Sequence, residues 1–247
     1  NSGHRRGGAI EAKESCQLLL KDSIFHKNSA QASSAIYLSD SYKEASVVVN
    51  CSFTENASEQ LGSINVGNSE LELRGSAFSL NTEVSGVSPG LHSFNSTVSM
   101  HNCRFSDQVG EKGSFLNASF KSTINIANSV FKRGRAFTGG AAYIDSSWIT
   151  LSNVTVSENE ATLGGGLAVY RSSLSVDASS FEFNKVSSKG GDMYVYYSEV
   201  LFSNSTSVNA SNNAIYIISN KTHVLNSTFA HCHLKSCIET SEVSSLQ

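Results

Sequence analysis

Apolar residues recur along this chain on a cycle of roughly 25 residues, the kind of fixed period that organises repeat architectures. The clearest column is a Phe followed three positions later by Asn: Phe25 and Asn28, Phe53 and Asn56, Phe78 and Asn81, Phe181 and Asn184. Val156 and Asn159 fit with Val in place of Phe, and degenerate members keep step at Phe105, Phe131, Val208 and Phe229. A second column reads small, small, Ala, aliphatic. It is clearest at Gly7-Gly8-Ala9-Ile10, Ser33-Ser34-Ala35-Ile36, Gly139-Gly140-Ala141-Ala142 and Gly164-Gly165-Gly166-Leu167, and weaker at Leu61–Ile64, Lys112–Phe115, Gly190–Met193 and Asn212–Ile215. A third column is an apolar pair shortly before each Phe: Leu18/Leu20, Val47/Val49, Leu71/Leu73, Val98/Met100, Ile124/Ile126, Ile149/Leu151 and Leu174/Val176.

Alternation with period two marks half-buried strands. Three such segments in one cycle leave no room for a helix. One cycle cannot bury its own apolar side chains, but stacked cycles can, each strand pairing in parallel with its copy ~4.8 Å away. Parallel crossovers favour the right-handed path. The expected fold is therefore all-β, a right-handed single-stranded parallel β-helix spanning residues 1–247, with about ten coils of roughly 25 residues and three short strands per coil. A β-propeller needs ~40 residues per blade, and a sandwich would not keep this period.

Composition agrees. The 247 residues include 47 Ser, 12 Thr and 21 Asn but one Pro, and only 16% are charged. Ser, Asn and Thr compete for backbone hydrogen bonds, so long helices are not expected. Asn after Phe suits a corner, where it takes a left-handed conformation and bonds along the stack. The glycines suit corners too, and no helix follows them to cradle a phosphate. A net charge of −3 excludes an electrostatic role on nucleic acid, and Lys132-Arg133-Gly134-Arg135 reads as a solvated turn. No stretch approaches the ~20 apolar residues of a membrane span. Asn1-Ser2-Gly3-His4 is not a signal peptide, so any targeting segment is expected to have been removed.

The paired Gly-Gly-Ala-Ile and Phe-x-x-Asn motifs resemble the polymorphic outer-membrane protein repeats of bacterial autotransporter passengers, a pattern also seen in surface proteins of some protists. The resemblance covers nearly the whole chain and implies a parallel β-helix displayed at a cell surface for adhesion or as a spacer. The chain departs from it between Val84 and Phe94, where Pro89-Gly90 replaces the small doublet; this reads as a corner insertion and a candidate protruding loop. Motifs begin by Gly7, and Cys237-Ile238 stands where a further coil would start. The segment is thus expected to belong to a longer solenoid, with other segments or copies of the same surface protein stacking end to end as partners.

The cysteines Cys16, Cys51, Cys103, Cys232 and Cys237 are too few for a disulfide scaffold and too scattered for a zinc site. Cys51 and Cys103 share the inward side of the Phe column, separated by a coil carrying Ser76, and should be core packing. Cys232 and Cys237 are the candidate disulfide across a turn. With His231 and His233 they superficially suggest a metal site, but the spacing lacks a second matching pair, and no metal or cofactor is implied. Nine sequons occur, at Asn50, Asn56, Asn95, Asn117, Asn153, Asn204, Asn209, Asn220 and Asn226, more than composition predicts, which leans towards secretion and N-glycosylation. Asn56 lies in the corner column and is expected bare; the other eight are the candidate glycan sites, with Asn50, Asn153 and Asn226 placed outward by their register.

Catalysis on a β-helix needs grouped carboxylates or a metal cluster. Asp22, Asp40, Asp107, Asp145, Asp177 and Asp192 fall in different columns and coils, so no catalytic residue is assigned. A carbohydrate-binding or carbohydrate-degrading, pectate-lyase-like protein is the alternative reading. A binding face has better support: Tyr37, Tyr143, Tyr194 and Tyr216 follow the aliphatic residue of the second column on its outward side, with Tyr170 and Tyr196 two positions further along. Such a row suits host-cell or matrix glycans or proteins, or simply stacks to stabilise the sheet. The reading is a non-enzymatic extracellular scaffold or adhesin, exposed at the cell surface.

Overall fold

The computed structural model describes residues 2–3, 6–41, 44–84, 88–218, 221–232 and 236–240. Three parallel sheets of ten, nine and nine strands run the length of the molecule. The first sheet extends from Ile10–Lys13 to Ile238–Thr240, the second from Leu19–Lys21 to Lys221–Leu225 and the third from Ile24–His26 to Thr228–Ala230. Every strand pairs in parallel with its copy in the adjacent coil, so the nine strands of the third sheet make eight turns between Phe25 and Phe229. The mean turn is about 26 residues, as the periodicity requires. A fourth, narrow ladder was not legible in the pattern. It links Ser29–Ala30, Ala57–Ser58 and Thr82–Glu83, passes through bridges at Val109 and Arg135, and reaches Glu160–Leu163 and Lys185–Lys189. Its early strands are two residues long and largely polar, too short to show alternation.

Inside, the Phe column is a continuous stack. Phe25, Phe53, Phe78, Phe105 and Phe131 lie with ring centroids 4.7, 4.5, 4.5 and 5.0 Å apart, close to the strand spacing itself. Val156 and Phe181 continue it, and the register then places Ser207 beside Phe181. Val208, expected in the column, therefore faces away. Phe202 of the second sheet fills the space instead, 5.8 Å from Phe181 and 5.4 Å from Phe229.

Two further expectations are corrected by register. Leu71 and Leu73 pair with Ser46 and Val48, so these two point inward and Val47 and Val49 outward. In a run of consecutive valines, local alternation leaves the phase undecided. Likewise Leu116, not Phe115, pairs with Leu91. Phe115 then occupies the position that Ala35 and Ala141 hold in other coils, and its ring is accommodated because Gly134 has no side chain: a Cβ there would lie 2.7 Å from Phe115 Cε2. Pro89 and Gly90 are buried beside the first sheet, and residues 85–87 of the expected insertion lie outside the described residues.

The corners explain the serine and asparagine content. Most coils turn three times through a residue of positive φ, for example Asn68 (48°), Gly75 (58°) and Leu80 (55°). The next residue points inward and presents an oxygen to the N–H of the preceding coil. Between the first two sheets Ser41, Ser69, Ser96, Ser122 and Ser147 each donate N–H to the serine of the next coil at 3.0–3.4 Å. After the third sheet the acceptors are asparagines: the N–H groups of Asn28 and Asn56 donate to the Oδ1 of Asn56 and Asn81 at 3.0 and 2.9 Å, and those of Gly134 and Asn159 to the Oδ1 of Asn159 and Asn184 at 2.8 and 3.0 Å. Asn56, Asn81, Asn159 and Asn184 also return their Nδ2 to a carbonyl of the preceding coil, as Asn56 does to Phe25 at 2.9 Å. Cys51 and Cys103 sit in the corresponding column between the second and third sheets, buried and unpaired, with Ser76 between them.

A buried N–H without a partner costs about 1–3 kcal/mol. Asn159→Ala strips the acceptor from Gly134 N–H and two bonds donated by Nδ2, to Phe131 and Asn184. We expect it to destabilise the fold by roughly 2–4 kcal/mol in urea denaturation; a loss below about 1 kcal/mol would show that the ladder does not support the corner.

Candidate functional site

The outward column of the first sheet runs Tyr37, Asn65, His92, Asn117, Tyr143, Ala168, Tyr194, Tyr216 and Glu239. Its lower part is polar and closely packed. His92 Nδ1 lies 2.9 Å from Asn65 Oδ1, and desolvation holds the imidazole at about 4, so it is neutral. Tyr37 stands apart, with the Arg6 guanidinium and Lys13 ammonium 5.6 and 5.7 Å from its ring centroid.

The upper part is aromatic. Ala168 leaves a gap between Tyr143 and Tyr194, and Tyr170 from the parallel column two residues on leans over it, 5.3 Å from Tyr143 and 5.7 Å from Tyr194. Tyr196 lies 5.8 Å from Tyr170. Burial raises the phenol pKa of Tyr143, Tyr170 and Tyr194, chiefly by desolvation. Tyr216 is corrected as a ligand-binding candidate: it is only 3% exposed. Its ring stacks on Tyr194 at 5.7 Å, Lys189 Nζ lies 4.1 Å from its centroid, and its hydroxyl accepts from Lys189 Nζ at 2.6 Å.

A surface groove of 670 Å³ lies along the corner beyond the third sheet and is lined by Asp107, Val109, Arg133, Arg135, Glu158, Glu160, Phe183 and Lys185. Its charges neutralise one another. Arg133 donates two bonds to Asp107, at 2.6 and 2.8 Å, Lys132 meets Glu158 at 2.9 Å, and Arg135 meets Glu160 at 3.6 Å. The Arg133 guanidinium holds the Asp107 carboxyl below its ordinary range. The run Lys132–Arg135 is thus one side of an ion-pair ladder. Among the described residues no three His, Cys, Asp or Glu side chains converge as a metal site requires.

Of the sequon asparagines, Asn50, Asn153, Asn204 and Asn226 are exposed and occupy one corner, between the second and third sheets, with φ between 46° and 53°. Asn95 is exposed at the preceding corner and Asn209 half-buried at the following one. Asn56 is fully buried in the ladder. Asn117 is corrected as a glycan site: it is 5% exposed and its Nδ2 donates to Lys112 O at 3.3 Å. Asn220 lies outside the described residues. The corner grammar itself produces sequons: a left-handed position suits Asn, the next residue points inward, and the third begins an outward strand position suited to Ser or Thr. The excess over composition thus has a structural origin.

Cys232 and Cys237 form a disulfide with Cα atoms 5.3 Å apart. They stand in the columns that Asn184 and Asp192 occupy, where Asn184 Nδ2 donates to Asp192 Oδ1 at 2.8 Å. His231 is exposed, and His233 lies outside the described residues. Asp192 is buried in the core with Ser207 Oγ as its second partner. Neither residue stood out in the sequence, because Ser207 becomes an inward neighbour only through the register.

This arrangement defines a parallel β-solenoid with a smooth, coil-by-coil surface. Residues 8–183 match the family described as a right-handed β-helix region, and the chain belongs to that family. No curated protein and no solved structure matches it. No helix among the described residues is long and apolar enough to cross a membrane.

Burial raises the Asp192 pKa to about 7, against the opposing hydrogen bonds from Ser207 and Asn184. A carboxyl raised on folding takes up a proton; its stabilisation is complete below about pH 4 and is lost as pH rises through about 7. Asp192→Asn should therefore flatten the fall in stability between about pH 4 and pH 7 in urea titrations; an unchanged slope would refute the assignment. In protein from its native source, glycopeptide mapping should find sugar at Asn50, Asn153, Asn204 or Asn226 and none at Asn56 or Asn117. Sugar on either of the last two contradicts the register.

Proposed function

We propose that this chain is a non-enzymatic extracellular scaffold, a rigid rod at a cell surface that adheres through the tyrosine face of its first sheet. The observation that carries this reading is the regularity of the coils. Matched positions in the third sheet recur every 22–28 residues, from Phe25 to Phe229, so the chain is spent on the stack. An oxidising location is supported by the Cys232–Cys237 disulfide. Kinship with the polymorphic outer-membrane protein repeats belongs to the same proposal, as do its partners: further segments or copies of the surface protein along the axis, and host-cell or matrix glycans at the side.

Tyr143, Tyr170 and Tyr194 form the adhesive row, their hydroxyl tips donating to and accepting from a carbohydrate-coated surface. Beads coated with the protein should bind glycan-bearing cells, and Tyr143→Ser with Tyr194→Ser should reduce that binding at least tenfold while the melting temperature falls by only a few degrees. Binding that survives the double variant removes the row from the proposal. Incubation with acidic and neutral polysaccharides should release no new reducing ends; steady release would instead favour the carbohydrate-degrading alternative.

A further inference from the structure

At the edge where the first sheet turns into the second, the chain's single tryptophan, Trp148, is 53% exposed. The register sets Trp148 beside Ser173 and Ser173 beside Glu199. Indole and carboxylate thus flank a small serine from levels two coils apart, about 9.6 Å at the strand spacing. In the adjoining corner column, Arg171 and Tyr197 follow Ser146. These six residues line most of a notch of 390 Å³, which shares Ser173 and Glu199 with a second depression of 280 Å³ on the second sheet. Ligand sites are commonly ~300–1,000 Å³.

The fold does not demand these aromatics. Other coils place Glu70, Thr97, Thr123 and Lys221 where Trp148 stands, all compatible with an exposed strand start. Tyr197 is 58% exposed at φ 46°, a left-handed conformation unfavourable for a bulky side chain; earlier coils use Asp40, Asn68 and Asn95 at this corner. Tyr197 is braced edge-on against Tyr196, with ring centroids 4.4 Å apart. Arg171 Nη2 donates to both carboxylate oxygens of Asp145, at 2.7 and 2.6 Å, which anchors the guanidinium and balances its charge.

We propose that this notch binds a neutral pyranose of a glycan chain, a deepening that rests on the reading of the rod as glycan-facing. A pyranose offers an apolar face of C–H groups to the indole and a rim of hydroxyls that both donate and accept. The Glu199 carboxylate accepts from neighbouring hydroxyls, and the remaining Arg171 N–H groups and the Ser173 hydroxyl donate to them. A cationic ligand would meet Arg171 and Lys221, and an anion would meet Glu199 and Asp145. The second depression, which shares Ser173 and Glu199, gives the adjoining sugar a place along the sheet.

Because Trp148 is the only tryptophan, its emission reports this notch alone. Purified protein is titrated with a panel of neutral methyl pyranosides and their oligosaccharides. We expect a saturable change in emission with protection from acrylamide quenching. Glu199→Gln and Tyr197→Ala should each weaken the response at least tenfold with circular dichroism unchanged, while Arg104→Ala on the third sheet should leave it as it was. A flat titration across the panel overturns the proposal, as does an equal response to tetramethylammonium or inorganic phosphate. Saturable binding with failed bead adhesion removes the tyrosine row and keeps the notch; adhesion with a flat titration does the reverse.

Discussion

The structure depends on one repeated interaction, a side-chain oxygen at most corners that accepts the backbone N–H of the coil before it. A strand in a parallel stack satisfies its own N–H and C=O groups through the ladder, but the corner between two strands does not. Left unpaired and buried, each such N–H would cost about 1–3 kcal/mol, repeated at every corner of every turn. Serine between the first and second sheets and asparagine after the third remove that cost with groups small enough to stack at the strand spacing. The left-handed residue just before each of them aims the side chain inward. Serine and asparagine are therefore structural in this molecule, although in most folds they mark surface and loops.

Where the ladder is interrupted, the interior is rebuilt by other means. Beside Phe115, in a column of small residues, the asparagine positions are taken by Gln108 and Gly134, and the side-chain ladder breaks: the Gln108 amide is buried with no hydrogen-bond partner, and Gly134 takes part only through its N–H. Two coils beyond Val156, Ser207 replaces the aromatic and binds Asp192, whose carboxyl Asn184 also reaches. The last described coil joins those same two columns covalently, through Cys232 and Cys237. One position in the cross-section thus carries in turn an amide–carboxyl bond and a disulfide, two ways of tying the third corner to the first sheet.

With the interior and corners committed, outward positions are where the chain is free to vary. Most of that surface is ion pairs and small polar residues. Aromatic side chains stand out from it at the Phe94–Phe120 stack, at Phe137 and Phe183, in the desolvated tyrosine row on the first sheet and at the tryptophan-bearing edge next to that row. The last two lie together in the coils from Tyr143 to Tyr216. Adjacent coils place equivalent positions at nearly the same interval for the whole length, a spacing suited to repeating partners.

The sequence by itself determined the period, the inward columns of Phe, Ile, Leu and Val, the asparagine ladder and the parallel stack, because each is written locally and then repeated. It also determined that Asn56 is interior while Asn50, Asn153 and Asn226 are not, since the position three before a core strand residue is outward whereas the position three after it falls in the inward corner column. Only the tertiary structure decided which valines of Ser46–Val49 point inward, that Ser207 rather than Val208 enters the core, and that Asn117 and Tyr216 are covered. Those outcomes depend on register between residues some 25 positions apart, set by ladder pairing along the whole stack. The serine ladders and the Trp148 edge were hidden for the same reason: they join neighbours across coils, and a one-dimensional pattern records the period without saying which side chains touch.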